Sequence, residues 1–555
     1  MAGTSSPRLK ILHCVGFALA IGGGIALRLD QLGSQLLLED EWHAVYRVAH
    51  DTASAILLDF GHSDSSIPLT LLYFAEARAF GLSELAMRWP MIAAGIAMLA
   101  LFPWYVARHV GRSEALLFAA LLAISPLLFF FSRMARPYAL TLLFIYVAHV
   151  AFHRYVRATA PKRRDAVAYA SSAALAVWLH PVVVPFAVAP FLPEAWRRLR
   201  GHAKDHGALV RLVVLAVVTG LAMAALLLPP LLAHPESLSL KTGVDLPRAD
   251  TLVGVWYSWL GTGSAAACLL CGALAIVGAP VAWQRLPESR SILAGVALSA
   301  LMIVATRPAW IGNALTLARY LLPVLPLLLL ATACGAVRLA RAIAARLPSR
   351  RAFVADGMVL AGSLVPLLAL AATTPLAPVL ARPNGNNLHI LYEFDFRDER
   401  NPIIEHMASI PLSPWWAGLA ARTRSSVTLA VAPFPEGSAG WDAPRWQRQS
   451  RQRILSGFLT PLCASAHETE VPDDARFAFR NAVHLGDAVA LAAHRVDYVV
   501  WQKPYRYMRG EIDVQVARDL AACGPALRAR FGTPAYEDEW LAVYRVPDSS
   551  ADAGR

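Results

Sequence analysis

Between Ile11 and residue 375 the chain keeps returning to apolar runs of about 16 to 23 residues, long enough at 1.5 Å per residue to cross most or all of a bilayer's hydrocarbon core as a helix. They lie at about 11–29, 89–107, 115–131, 138–153, 212–229, 264–283, 291–306, 319–337 and 353–375. A further stretch, 166–193, has basic loops at both ends and His180-Pro181 in its middle, so it reads as a hairpin of two short spans turning at His180. A single kinked span there would invert everything downstream and put the basic segment Arg338–Arg351 on the outer side, against the positive-inside rule. The expected total is about eleven spans, with the N-terminus inside. With 56% hydrophobic and 16% charged residues, a soluble enzyme is excluded.

The formal net charge of +12 invites a nucleic-acid reading, and its distribution removes it. From Pro383 onward Lys+Arg number 19 against 21 Asp+Glu, so the excess lies in the apolar part, at 32 against 18. There it gathers in the short loops 108–112, 157–165, 197–204 and 338–351, as cytoplasmic anchors do. Arg8 and Lys10 precede the first run, which reads as a retained signal-anchor because no small-x-small cleavage site follows. Cys268 and Cys271 have zinc-ligand spacing but stand in a Leu/Ala helix without partner ligands. Cys463 and Cys523 fall in the polar C-terminal part and are candidates for a disulfide in an oxidising compartment.

Two segments outside the spans read as helices lying along the membrane surface, at about 40–60 and 67–81. In the first, Trp42, Val45, Val48 and Ala49 mark the buried face, and Glu39, Asp40 and Glu41 form an acidic triplet just after span 1. From 383 the composition becomes that of a soluble α/β domain of about 170 residues. Strands are expected at 388–394, 427–433, 496–501 and 541–546, and helices at 401–410, 446–457 and 513–523. The two-part division is therefore 1–382 and 383–555, the second part extracytoplasmic.

On this topology the ionisable residues outside the cytoplasmic loops gather at the outer face. The acids are Glu39, Asp40, Glu41, Asp51, Asp59 and Asp64; opposite them stand Arg88, Arg133, Arg136, Tyr138, Arg307, Arg319 and Tyr320, with His62 and His180 beside them. Arginines at the outer ends of spans run against the positive-inside trend, and an anion such as phosphate suits the guanidinium fork.

Four stretches, LEDEWHAVY (38–46), HSDSSIPL (62–69), SRMARPYAL (132–140) and LARYLLPVLP (317–326), resemble in order and sidedness the GT-C glycosyltransferases, above all the protein O-mannosyltransferase, aminoarabinose transferase and rhizobial core-glycosyltransferase group. The resemblance covers roughly residues 10–380. It implies inverting sugar transfer from a polyprenyl-phosphate donor to a glycan, lipid or protein acceptor at the outer face of the inner membrane. It further implies Asp40 as catalytic acid/base group with Glu41 beside it as helper or metal ligand, and Arg136, Tyr138, Arg319 and Tyr320 around the donor phosphate; Arg133 joins that set by its place at the outer end of the third span. His62, Asp64 and His180 are auxiliary candidates. A divalent metal is the one cofactor the resemblance brings in. Some family members carry an acid where this chain has Tyr138, which weakens the case for that metal.

Two rival classes stand beside this reading. Secondary transporters place ionisable groups near the midplane and often show repeats, whereas 89–107, 115–131 and 212–229 carry no Asp, Glu, Lys or Arg and no repeat is evident. A non-catalytic envelope-assembly protein is the other. Release of prenyl phosphate from a labelled donor separates the enzyme from both.

Overall fold

The computed structural model describes residues 7–30, 32, 39–61, 66–200, 206–239, 241–244, 246–346 and 352–373, and, further on, 413–422, 427–432, 450, 452–455, 476, 491, 495–503 and 524–547. In chain order the helices are α1 (Pro7–Leu29), α2 (Glu39–His50), α3 (Ala53–Leu58), α4 (Ile67–Ala79), α5 (Glu84–His109), α6 (Arg112–Ile124), α7 (Pro126–Ser132), α8 (Tyr138–Arg157), α9 (Arg163–Leu179), α10 (Val184–Val188), α11 (Phe191–Leu199), α12 (His206–Ala233), α13 (Glu236–Ser239), α14 (Ala249–Leu260), α15 (Ala265–Arg285), α16 (Glu288–Thr306), α17 (Ala314–Tyr320), α18 (Val324–Ala344), α19 (Ala352–Ser363), α20 (Val365–Thr373) and α21 (Pro414–Arg422). Seven of these are long and apolar enough to cross a membrane: α1, α5, α8, α12, α15, α16 and α18. The pair α6–α7 makes an eighth if taken as one span bent by 62° at Ser125-Pro126, where the proline lacks an N–H to continue the helix. The protein is a multi-pass helical membrane protein.

The other crossings expected from the sequence are shorter or more polar. α9 ends at His180, and after a 3₁₀ turn at Pro181–Val183 the chain runs back through α10 and α11. Tyr169, near the start of α9, donates to the Ala187 carbonyl at 2.7 Å, so the chain doubles back after His180. The last apolar segment, Gly357–Thr373, is broken between α19 and α20.

Polar contacts between helix ends divide the bundle into two faces. At one face Arg319 reaches Tyr138 (3.3 Å) and Thr262 reaches Thr373 (2.8 Å). At the other, His13 meets Ser113 (3.2 Å), Tyr105 meets Glu288 (2.8 Å) and Arg341 meets Glu114 (2.5 Å). Between these faces α15 and α18 cross closely because Gly278 and Gly335 leave no side chain in the way: a Cβ on either would overlap the backbone of the other helix, at Ala331 and Leu274 respectively.

The surface segment expected as one helix over 40–60 is two, α2 and α3, because Thr52 takes an extended conformation and caps α3 by accepting from Ala55 N–H. Beyond residue 412 the described residues build a sheet of β1 (Thr428–Ala432), β2 (Arg453–Leu455), β3 (Tyr498–Gln502), β4 (Tyr536–Glu537) and β5 (Leu541–Arg545), in the order β2-β1-β3-β5-β4. β2, β1 and β3 are parallel, and β5 runs antiparallel to both β3 and β4. Alternation assigns Leu429, Val500, Leu541 and Val543 to one face, under Trp416 of α21. Ala430, Val499, Ala542 and Tyr544 fall on the other, with Leu527 of the helix at 524–531. The segment 446–457, expected as a helix, instead contributes β2: Ile454 and Leu455 pair with Leu429 and Ala430, a partner available only once the sheet exists. The expected elements at 388–394, 401–410 and 513–523, and Cys463 and Cys523, lie outside the described residues.

Candidate functional site

α2 buries Glu41, Ala44, Val45 and Val48, the i, i+3, i+4, i+7 stripe of a helix, so one carboxylate of the acidic triplet points into the protein. Neither Glu41 nor Arg88 has any solvent exposure. Arg88 Nε donates to Glu41 Oε1 at 3.0 Å and Nη2 to Oε2 at 2.7 Å, while the Ala135 N–H donates to Oε1 at 2.6 Å. A bidentate guanidinium and a backbone donor together offset the desolvation of the buried carboxylate. This pins α2 to α5 and to the turn 133–137 at once. Asp40 precedes Glu41 on the same helix backbone; its side chain, with those of Glu39 and Trp42, lies outside the described residues, as do His62 and Asp64.

Other acids of the outer cluster have local duties. Arg47 donates to Asp51 at 2.8 Å, to the Asp59 carbonyl at 2.8 Å and to the Ala55 carbonyl at 3.3 Å, holding α3 against α2.

The turn between α7 and α8 carries the two arginines of SRMARPYAL in different settings. Arg133 Nη1 donates to the carbonyls of Leu27 (3.0 Å) and Asp30 (2.7 Å), at the end of α1 where helix carbonyls run out of N–H partners. Burial pushes the Arg133 guanidinium down to about 10, with Arg88 adding to the shift and Asp30 opposing it, so it stays cationic at neutral pH. Its described bonds tie α1 to the turn. Arg136, also buried, follows directly after Ala135. Arg28, which the sequence reading passed over, braces the same corner through the Gly24 carbonyl (2.9 Å) and Ser132 Oγ (3.3 Å). Its signal was available: it is an arginine at the outer end of the first span.

Three residues along the turn's continuation the site becomes a crevice. Arg319, at the end of α17, donates from Nη1 to Tyr138 Oη at 3.3 Å and from Nη2 to Thr316 Oγ1 at 3.1 Å. Its guanidinium carbon lies 5.7 Å from the Tyr138 ring centre. The His180 ring stands 5.4 Å from that of Tyr138 and 6.0 Å from that of Tyr320. Thr141, Leu142, Val183, Leu322 and Pro323 complete the lining. Segments 138, 180 and 319–320, far apart in sequence, thus meet at one small opening lined by a cation, two phenols and an imidazole. Thr141 and Thr316 are the polar members that sequence motifs did not single out.

Among the described residues no three of His, Cys, Asp and Glu come together as a metal-binding group. The described carboxylate of the acidic triplet, Glu41, has both oxygens bonded to Arg88 and one to Ala135 N–H as well, which does not suit a cation.

Searches with family models and among curated proteins find no match to this sequence. Among solved structures the chain is similar to ArnT from Cupriavidus metallidurans in the apo state, at 13% identity and a TM-score of 0.48 over 98% of this chain and 99% of that one. It is also similar to the oligosaccharyltransferase of Archaeoglobus fulgidus, at 12% identity and 0.45 over 90% of this chain and 70% of that one. A third likeness is to the arabinofuranosyltransferase AftD from Mycobacteria, at 18% identity and 0.42; it takes in 98% of this chain and 42% of that larger one.

Proposed function

We propose that this protein is an inverting membrane glycosyltransferase of the GT-C type. It moves a sugar from a polyprenyl-phosphate donor to a glycan, lipid or protein acceptor of the cell envelope. The observation that carries the reading is the continuity of the turn 133–138. Ala135 within it is bonded to Glu41, next to Asp40; three residues on, Tyr138 meets Arg319, with His180 and Tyr320 around them. An acid on the helix bonded to this ribbon and a cationic crevice at the ribbon's end, at one face of a helical bundle, are what transfer from a lipid phosphate requires. The order of the four sequence stretches supports the same class.

In this account Asp40 accepts the proton of the acceptor hydroxyl as its oxygen forms the new bond to the anomeric carbon. The bond from that carbon to the phosphate oxygen breaks, and its electron pair stays on the phosphate. Arg136 and Arg319 stabilise the growing charge, and Tyr138 Oη donates to it while accepting from Arg319. Glu41 acts as a brace and no step passes through a metal. The prenyl tail remains in lipid, which explains a site at the boundary.

The topology proposed with it has eleven crossings, N-terminus inside, and the 383–555 region on the extracytoplasmic side of the inner membrane. The described end-to-end contacts are consistent with that alternation. Purified protein supplied with labelled polyprenyl-phosphate sugars and envelope extract should release polyprenyl phosphate as product glycan forms. If no donor in a panel of hexosyl and pentosyl carriers is consumed, the reading fails.

A further inference from the structure

At the face opposite the crevice lies a second, larger hollow. α8 carries Tyr138 at one end and Arg154 sixteen residues on, about 24 Å away along the axis. The two openings therefore face opposite leaflets of a bilayer about 30 Å thick. The hollow, of about 260 Å³, opens sideways between α5, α8, α16 and α18. Its walls are apolar, with Trp104, Tyr146 and Leu327 among them, and Trp104 is half-exposed.

One end of this groove is charged with both signs. Arg154 Nε lies 3.9 Å from Asp165, and the Arg154 side chain is largely exposed, so its guanidinium has donors to spare. Glu288, at the start of α16, is 5% exposed. Its Oε1 accepts from Tyr105 Oη at 2.8 Å; its Oε2 is buried and has no hydrogen-bond partner among the described residues. Glu288 lines the groove, and a carboxylate held there calls for donors, because leaving it unmet costs free energy.

We propose that the groove is a binding site for one phospholipid of the leaflet opposite the catalytic face, with an ethanolamine headgroup. The acyl chain lies along α5 and α8, the phosphate meets Arg154, and the primary ammonium donates to the Glu288 carboxylate with Asp165 beside it. The charge pattern selects this occupant. A choline head has no N–H to give Glu288, a glycerol head brings no cation, and a prenyl phosphate would leave the carboxylate unmet. The site uses none of the residues assigned to sugar transfer, so it stands or falls separately.

Native mass spectrometry of the purified full chain in detergent, titrated with phospholipids of identical acyl chains, tests it. Phosphatidylethanolamine should be retained about tenfold better than phosphatidylcholine or phosphatidylglycerol. Stepwise N-methylation of the ethanolamine head should lower retention by wild-type protein with each donor lost, a series that needs no variant. Glu288→Gln should bring ethanolamine lipid down to the choline level, and Arg154→Ala should weaken all three. Equal retention of the three lipids would reduce the groove to bulk lipid contact and overturn the proposal. So would displacement of the ethanolamine lipid by undecaprenyl phosphate at equal concentration, which would make the groove a prenyl channel.

Discussion

Arg88 and Glu41, 47 residues apart, form a bidentate ion pair with no exposure to solvent, and the Ala135 N–H closes the same carboxylate from the other side. Replacing either charge alone strands the other in an apolar setting, at a cost of roughly 3–5 kcal/mol. Glu41→Gln and Arg88→Met should therefore each lower the thermal midpoint of the purified protein by several degrees. The paired change Glu41→Leu/Arg88→Leu should recover much of that stability while turnover stays low, because α2 has lost its tie to the turn. Full activity in the paired variant would show that the brace does not position the acid.

Arg319→Ala and Arg136→Ala should raise the donor KM and lower kcat, together by about two orders of magnitude or more in kcat/KM, because phosphate charge grows toward the transition state. Arg319→Lys should rescue poorly, since one ammonium cannot bond both Tyr138 and Thr316 and still present a fork to the donor. Steady-state kinetics on the donor read both.

Gly335→Ala tests the α15–α18 crossing. The added methyl has nowhere to go but the Leu274 backbone, so the helices must part and the midpoint should fall well beyond that of an alanine at the lipid-facing Gly220, where nothing lies nearby.

Asp538 ties β4 and α21 to the sheet. Burial opposes its ionisation, but Ser413 Oγ, the N–H groups of Leu541 and Trp540 and the Tyr536 hydroxyl outweigh it and hold the carboxyl below the usual aspartate value. A depressed folded value means the ionised form is favoured by folding. That contribution is complete above the ordinary value near 3.8 and is lost as pH falls through the depressed one. Asp538→Asn should flatten the acid limb of the unfolding curve below pH 4 and leave stability lower at neutral pH.

Much of the architecture could be read from the chain because apolar length and basic loops obey one solvent, the bilayer. Period-2 runs likewise announced β1, β3 and β5. The turn at His180 followed from charge at both flanks of 166–193. What periodicity cannot report is the partner. It says that a face of α2 is buried, not that Glu41 belongs to it or that Arg88 waits opposite. Arg133 stood among the outer arginines as a phosphate ligand, yet its described bonds go to the end of α1, since an unfilled helix end competes for the same donor. The break at Ser125-Pro126 had its proline in view, but a span with one proline reads the same whether it bends or not. β2 had no local signal, because three residues become a strand only beside β1.

The most direct measurement compares envelope glycans by mass spectrometry in cells carrying the wild-type chain, the Asp40→Asn variant, or no copy. Asparagine keeps the shape of residue 40 and removes its proton acceptor. The account predicts that one sugar disappears from one glycan class in the deletion, that Asp40→Asn expressed at wild-type level reproduces the loss, and that Glu39→Gln does not. Unchanged glycans in the deletion, or full restoration by Asp40→Asn, would contradict it.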